Sequence, residues 1–324
     1  MSQQKDLINW SKLISEYARE CTFKECIFPI RKNCSKKITR CHSIQRKILD
    51  KISFRGKVIS FDARNSYLTR SFEEIGIKKS STFFGFCNYH DNSIFSEIEN
   101  KDYEATIEQD FLFAYRACAK EYADQNTALQ VQEKMLKDKK RLKKEHIPII
   151  KANVELCKFV INNLSDQLEI FHAELLKDPS IRDYNVITSL MKKYSYEILF
   201  AVNSIISLNY ESRQEKSNPL FLNIFPQNDK TYLILSCFSD DLNTYGSLFS
   251  KIKSNNIDRL EDFYSKIIVN GSRNLFISPC KWESLSLNIR KNIESTLINN
   301  MYRSINSTRL SLQHTFNLFE LLKK

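Results

Sequence analysis

Two short stretches carry the residues best suited to chemistry. "ECIFPIRKNC" holds Cys26 and Cys34 with seven residues between them, and "GFCNYHDNSIF" holds Cys87 and His90 with two. Thiolates and a neutral imidazole are preferred zinc ligands, and a Cys3His tetrahedron is a common closed structural site. A C-x2-H spacing lets both side chains turn toward one ion. The C-x7-C spacing is wider than usual, so Cys21 and Cys41 stand as substitutes for either member of the first pair. The plainer reading of all six is buried thiols and a surface histidine. A structural Zn2+ would add folding free energy on the order of 10 kcal/mol in small modules, useful to a basic segment with little apolar material.

Between the two pairs lies His42, in "RCHSIQRKIL", flanked by Arg40, Arg46 and Lys47. A histidine kept neutral by surrounding positive charge can act as a general base on water; more plainly, it caps a turn. Asp91 follows His90 and has two readings of its own. It can orient His90 on a metal through a hydrogen bond, or cap free amides at the start of the helix "SIFSEIE", a task Asn92 or Ser93 could also take.

The order C…C…H-x-I-Q…C-x2-H-D resembles the zinc-bearing His-Asn-His (ββα-metal) nucleases. That resemblance implies that His42 activates water and that Cys26, Cys34, Cys87 and His90 hold a structural zinc. Asn65, in "FDARNSYL", would take the place of the middle asparagine, and Asp91 and Asn92 would stand near a catalytic Mg2+ or Mn2+. This sequence departs from the family at Cys41, where an acidic residue or histidine usually precedes the catalytic histidine. It also lacks a further metal-binding histidine on the helix, and Mg2+ requires hard oxygen ligands. Residues 26–125, and "NLFISPCKWESL" near 274–285, also resemble a bacterial protein family, which implies a shared module and no particular activity.

The charge around these residues is distinctive. Residues 21–60 hold eleven Lys or Arg against Glu25 and Asp50, a net +9 within a chain whose total is +11. Concentrated positive charge attracts phosphate backbones by counterion release. Lys36, Lys37, Arg40, Arg46 and Lys47 are the expected nucleic-acid contacts. A second basic run, "KMLKDKKRLKKEH" at 134–146, reads as helical, with a solvated face as its plainer role. No apolar run approaches the length of a membrane span and no secretory signal pattern opens the sequence, so a cytoplasmic protein is expected. Nine cysteines, an odd number, fit reduced thiols better than disulfides.

The elements that must position these residues point to an α+β, mostly helical fold. Three units are expected: a small zinc-bound mixed module over 1–102, a long antiparallel helical hairpin over 103–180, and an α+β domain over 181–324. Residues 5–19 read as a short amphipathic helix, and "KVISF" (57–61) as a strand. Ile107, Phe111, Ala114, Cys118 and Tyr122 mark one buried helical stripe. Ile150, Val154, Cys157, Ile161, Leu164, Leu168, Phe171 and Leu175 repeat every seven residues, with a break at Pro148. Packing within the chain and self-association both fit that seam. Residues 196–208 fit either helix or strand, 219–238 form a β-hairpin, and Trp282 anchors the last core. Helices follow near 241–254, 257–269, 284–303 and the C-terminus.

The function expected is a zinc-containing nucleic-acid-binding protein, extending to a metal-dependent endonuclease acting in defence against phage. The alternative is a non-catalytic, zinc-stapled interaction or sensor subunit.

Overall fold

The computed structural model describes all residues except 1–11, 36, 61–71, 139, 207–217, 255–259 and 304–315. The fold is mixed α+β, built on a seven-stranded antiparallel sheet with helices on both faces. The strands are β2 (Lys57–Ser60), β3 (Glu73–Gly76), β5 (Ile187–Tyr194), β6 (Phe200–Ile206), β7 (Leu220–Gln227), β8 (Lys230–Phe238) and β9 (Leu275–Ile277), in the order β3-β2-β9-β6-β7-β8-β5. The short strands β1 (Cys41–His42) and β4 (Thr82–Phe83) form a separate antiparallel pair.

The central strands bury both faces, which is why their sequences are almost continuously apolar. On β7, Leu220, Leu222 and Ile224 face one core, while Phe221 and Phe225 face the other. β8 divides likewise, with Leu233, Leu235 and Cys237 against Ile234 and Phe238. The expected hairpin is therefore present, and its turn is tighter than "PQNDK" suggests. Pro226 and Gln227 remain in the strand, while Asn228 and Asp229 both take positive φ (50° and 58°), as a two-residue type I′ turn requires. Residues 200–206 are strand, resolving the ambiguity of the 196–208 stretch.

One sheet face is covered by a helical hairpin, α4 (Ile107–Lys137) and α5 (Ile147–Leu176). The helices run antiparallel: Phe111 meets Phe171 at 5.2 Å, the Cys118 thiol faces the Leu164 carbonyl, and Val131 and Met135 cluster with Ile150. The heptad residues of α5 form this seam inside the chain, with Ile161 alone only half-buried. Pro148 sits in the first turn of α5, where no backbone donor is needed. Ile107 departs from expectation: as the first residue of α4 it projects into solvent, 44% exposed. The run 134–146 is not one helix either. α4 stops at Lys137, Asp138 accepts a hydrogen bond from the Tyr17 hydroxyl, and helical backbone resumes at Lys144. Lysines crowded together gain more from a turn, where they spread apart, than from a helix that stacks like charges. Residues 12–20 are helical and close the hairpin tip through Leu13 and Tyr17; residues 5–11 of that expected helix lie outside the described residues.

The opposite face carries α6 (Leu242–Lys253), α7 (Leu260–Gly271), α8 (Pro279–Ser284), α9 (Leu287–Arg303) and α10 (Leu318–Leu321). Trp282 is buried there, 4.8 Å from the ring of Phe72. Two further helices belong to the N-terminal segment, α2 (Arg46–Ile52) and α3 (Asn88–Glu99).

The N-terminal segment is not a free-standing module. Its strands β2 and β3 extend the sheet through β9, with Ile59 opposite Ile277 and Ser60 opposite Phe276. The Ser60 hydroxyl also donates to the Leu275 carbonyl at 3.0 Å. The segment is too small to bury Val58 and Ile59 alone, so it takes the missing apolar surface from the C-terminal sheet. The boundaries at 102 and 180 thus cut through a shared core.

A buried polar contact ties the hairpin to the end of β7. Tyr103 exchanges backbone bonds with the Gln227 amide and donates its hydroxyl to Asp110 at 2.7 Å. Burial raises Asp110 to about 6, against hydrogen bonds from Tyr103 and Ser189 that lower it. Its contribution to stability is therefore complete below the ordinary value of 3.8 and is lost as pH rises through about 6. Asp110→Asn stays neutral throughout. Between pH 4 and pH 7.5 wild type should lose on the order of 3 kcal/mol relative to that variant, measured by urea unfolding. Parallel pH profiles would show that Asp110 does not titrate in this range.

Candidate metal centre

Cys26, Cys34, Cys87 and His90 converge. Their ligand atoms all lie within 4.8 Å of one another, forming a group able to hold a metal ion. His90 Nδ1 stands 3.3 Å from the Cys26 sulfur and 3.4 Å from the Cys87 sulfur. Bond lengths of about 2.3 Å to sulfur and 2.0 Å to nitrogen place S and N about 3.6 Å apart across a tetrahedron. The donor set and its spacing therefore fit a tetrahedral ion of zinc's preference.

Local structure explains the convergence. Cys87 is the N-cap of α3 and His90 lies in its first turn, so the two-residue spacing turns both side chains to one side of the helix start. Cys26 lies on an extended segment that bonds its neighbour to the 83–87 strand, Ile27 N–H donating to Gly85 O at 2.8 Å. A Cβ at Gly85 would come within 2.6 Å of Phe83 and 2.8 Å of Ile27, so only glycine permits this approach. Cys34 is set by a turn, its N–H donating to Arg31 O at 3.0 Å. The Arg31 guanidinium closes the 26–31 loop on the Cys26 carbonyl at 2.7 Å. The loop between the cysteines thus folds back on itself, which is how seven intervening residues serve in place of two.

Burial pushes the Cys26 thiol up to about 12. Burial acts the same way on Cys87, but hydrogen bonds from the His90 backbone, Ser35 and Cys34 outweigh it and hold Cys87 at about 7. His90 is lowered by burial and by the Arg31 charge, which keeps its ring neutral and able to ligate. Neither substitute thiol belongs to the group. Cys21 packs at the hairpin tip, and Cys41 is buried beside Thr39, raised to about 12 by burial and by Asp91.

His42 sits on β1 and is half-buried, with Nδ1 enclosed and without a hydrogen-bond partner. Burial lowers its pKa, Glu99 opposes, and Arg116 reinforces. The structure brings Asp91 into this same charged group, but not in either role expected for it. Its carboxylate neither caps α3 nor supports His90; it faces Arg116, 3.9 Å from the guanidinium. Asn92, one position on, turns to solvent. Among the described residues, the Cys3His set is the one group with converging metal ligands, so His42, Asp91 and Asn92 do not assemble a second. Asn65 lies outside the described residues.

Sequence reasoning missed Arg116 and Glu99. Arg116 on α4 is 1% exposed, ion-paired to Glu99, and lies 4.1 Å over the Phe95 ring. The available signal was a lone arginine inside "FLFAYRACA", an otherwise apolar run on a helix.

The expected basic residues divide into two sets. Arg46 pairs with Asp50 at 3.7 Å and Lys47 with Asp102 at 3.3 Å, so α2 uses its charges within the chain. Lys37 and Arg40 are exposed, as are Lys24 and Lys32, and none of these four forms an ion pair with a described residue. Lys24 and Arg40 lie 5.6 and 5.5 Å from the Phe84 ring centroid. Tyr89, within the C-x2-H pair, is 46% exposed. Lys36 lies outside the described residues.

Comparison with protein families, with curated proteins and with solved structures finds no match to this chain. No helix among the described residues is long and apolar enough to cross a membrane.

Proposed function

We propose that this chain is a zinc-containing nucleic-acid-binding protein. The observation that carries this reading is the convergence of Cys26, Cys34, Cys87 and His90 directly beneath exposed cations that no acid neutralises. The metal clamps the 26–34 loop to the start of α3, and that clamp presents Lys24, Lys32, Lys37 and Arg40 on one surface. Phe84 and Tyr89 add aromatic surface between the cations, a composition suited to backbone phosphates and exposed bases. Replacing Lys24, Lys37 and Arg40 with Ala should reduce the salt dependence of binding to a DNA oligonucleotide. The slope of log affinity against log salt should fall by about 0.9 for each lost duplex phosphate contact. An unchanged slope would remove this surface from contact.

Hydrolysis of the bound strand is a second reading, supported by the local arrangement of elements. β1 carrying His42 pairs with β4, and α3 follows with Cys87 and His90 at its start, a strand–strand–helix order like that of the His-Asn-His nucleases. His42 is neutral and so able to accept a proton. Any Mg2+- or Mn2+-dependent nicking should disappear in His42→Ala while zinc content and folding stay as in wild type. Equal cleavage by the variant would make His42 structural.

A further inference from the structure

The inner seam of α5 is satisfied by α4, but the same helix carries a second seam on its outer side. Ile149, Leu156 and Ile170 are 61%, 41% and 40% exposed, and they share a seven-residue register with Asn163; Phe159, 47% exposed, lies three residues after Leu156. This stripe runs about 30 Å at 1.5 Å per residue. Singly exposed apolar residues are ordinary, whereas several in heptad register along one helix mark a contact surface.

Charge along α5 selects the occupant. The first half carries the exposed Lys151 and Lys158, the second half the exposed Asp166 and Glu169. Asp166 and Ile170 also border an open groove of about 480 Å3, where Asp183, Asp240 and Asp241 outnumber Lys177. A surface positive at one end, negative at the other and apolar between complements itself when turned end over end. We propose that this face docks a second copy of the chain, α5 against α5, antiparallel about a twofold axis. The basic half of each helix then lies across the acidic half and groove of its partner, and Phe159 sits near the axis. A parallel pair would set lysine against lysine and aspartate against aspartate. A twofold pair also places two copies of the metal-clamped surface in one particle, independently of what that surface binds.

Sedimentation velocity on the full chain, across a micromolar concentration series, tests this. Wild type should be dimeric at low micromolar concentration, and Phe159→Glu should weaken association at least tenfold with unchanged circular dichroism. Lys151→Glu with Lys158→Glu should weaken it similarly, and adding Asp166→Lys with Glu169→Lys should restore it. A parallel pair would respond little to the first two reversals, so indifference to them overturns the antiparallel arrangement. Wild type remaining monomeric at 100 micromolar or above overturns the proposal outright.

Discussion

Stripping the metal with a strong chelator should release about one zinc per chain and unfold the segment from residue 21 to residue 40. This is one of the two largest effects expected of the molecule. From 21 to 40 the chain has almost no regular secondary structure and is held by scattered backbone bonds and by the convergence at Cys26, Cys34, Cys87 and His90. Apparent binding free energies in small zinc modules are on the order of 10 kcal/mol. The loss here should be smaller, because α2, α3 and β1 also pack into the shared core. Limited proteolysis should cut within 21–40 only after chelation, and the midpoint of thermal unfolding should fall. Cys87→Ser should reproduce both effects. Cys41→Ser should keep full metal content, since that thiol stands outside the group. Purified protein with no bound zinc, or a chelated form that melts like the native one, would sink the metal centre.

Replacing Arg116 should be comparably severe. The guanidinium is buried between α3 and α4, with Glu99 and Asp91 on one side and the Phe95 ring on the other. Removing one member of a buried ion pair strands the remaining charge, a cost of about 3–5 kcal/mol, whereas replacing the whole group with neutral residues is often tolerated. Arg116→Met should therefore destabilise by that amount, and Arg116→Met combined with Glu99→Gln and Asp91→Asn should recover a large part of it. Urea unfolding of the single and triple variants measures the difference. A triple variant no more stable than the single one would mean that the methionine disrupts packing, and that charge is not what holds α3 to the hairpin.

What could be read in advance follows the range of the interaction. The inner seam of α5 was legible because a heptad pattern is local, and Pro148 placed its start. The hairpin of β7 and β8 was legible because its turn and both strands lie within twenty residues. The metal group was legible by donor type although its C-x7-C spacing is loose, since soft ligands are few and clustered in the chain. The joining of β2 to β9 was not. Three residues, Leu275–Ile277, pair with a strand more than two hundred positions earlier, and no periodicity announces such a partner. The basic cluster was legible as charge but not as surface. Which cations are already engaged depends on Asp102 and Glu197, which the fold brings to Lys47 and Lys51 from distant segments. The outer stripe of α5 was hidden for another reason: the inner heptad accounts for the helix so fully that a second, weaker register beside it draws no notice.

The pairing of Ile59 with Ile277 has a consequence for synthesis in the cell. A ribosome adds about 5–20 residues per second, so β2 leaves the exit tunnel roughly ten seconds or more before β9 exists. During that interval Val58 and Ile59 have no strand to cover them on that side, and the nascent N-terminal region is an open edge. Chaperone occupancy of stalled nascent chains should accordingly persist until the codons for 275–277 have been translated, and then fall.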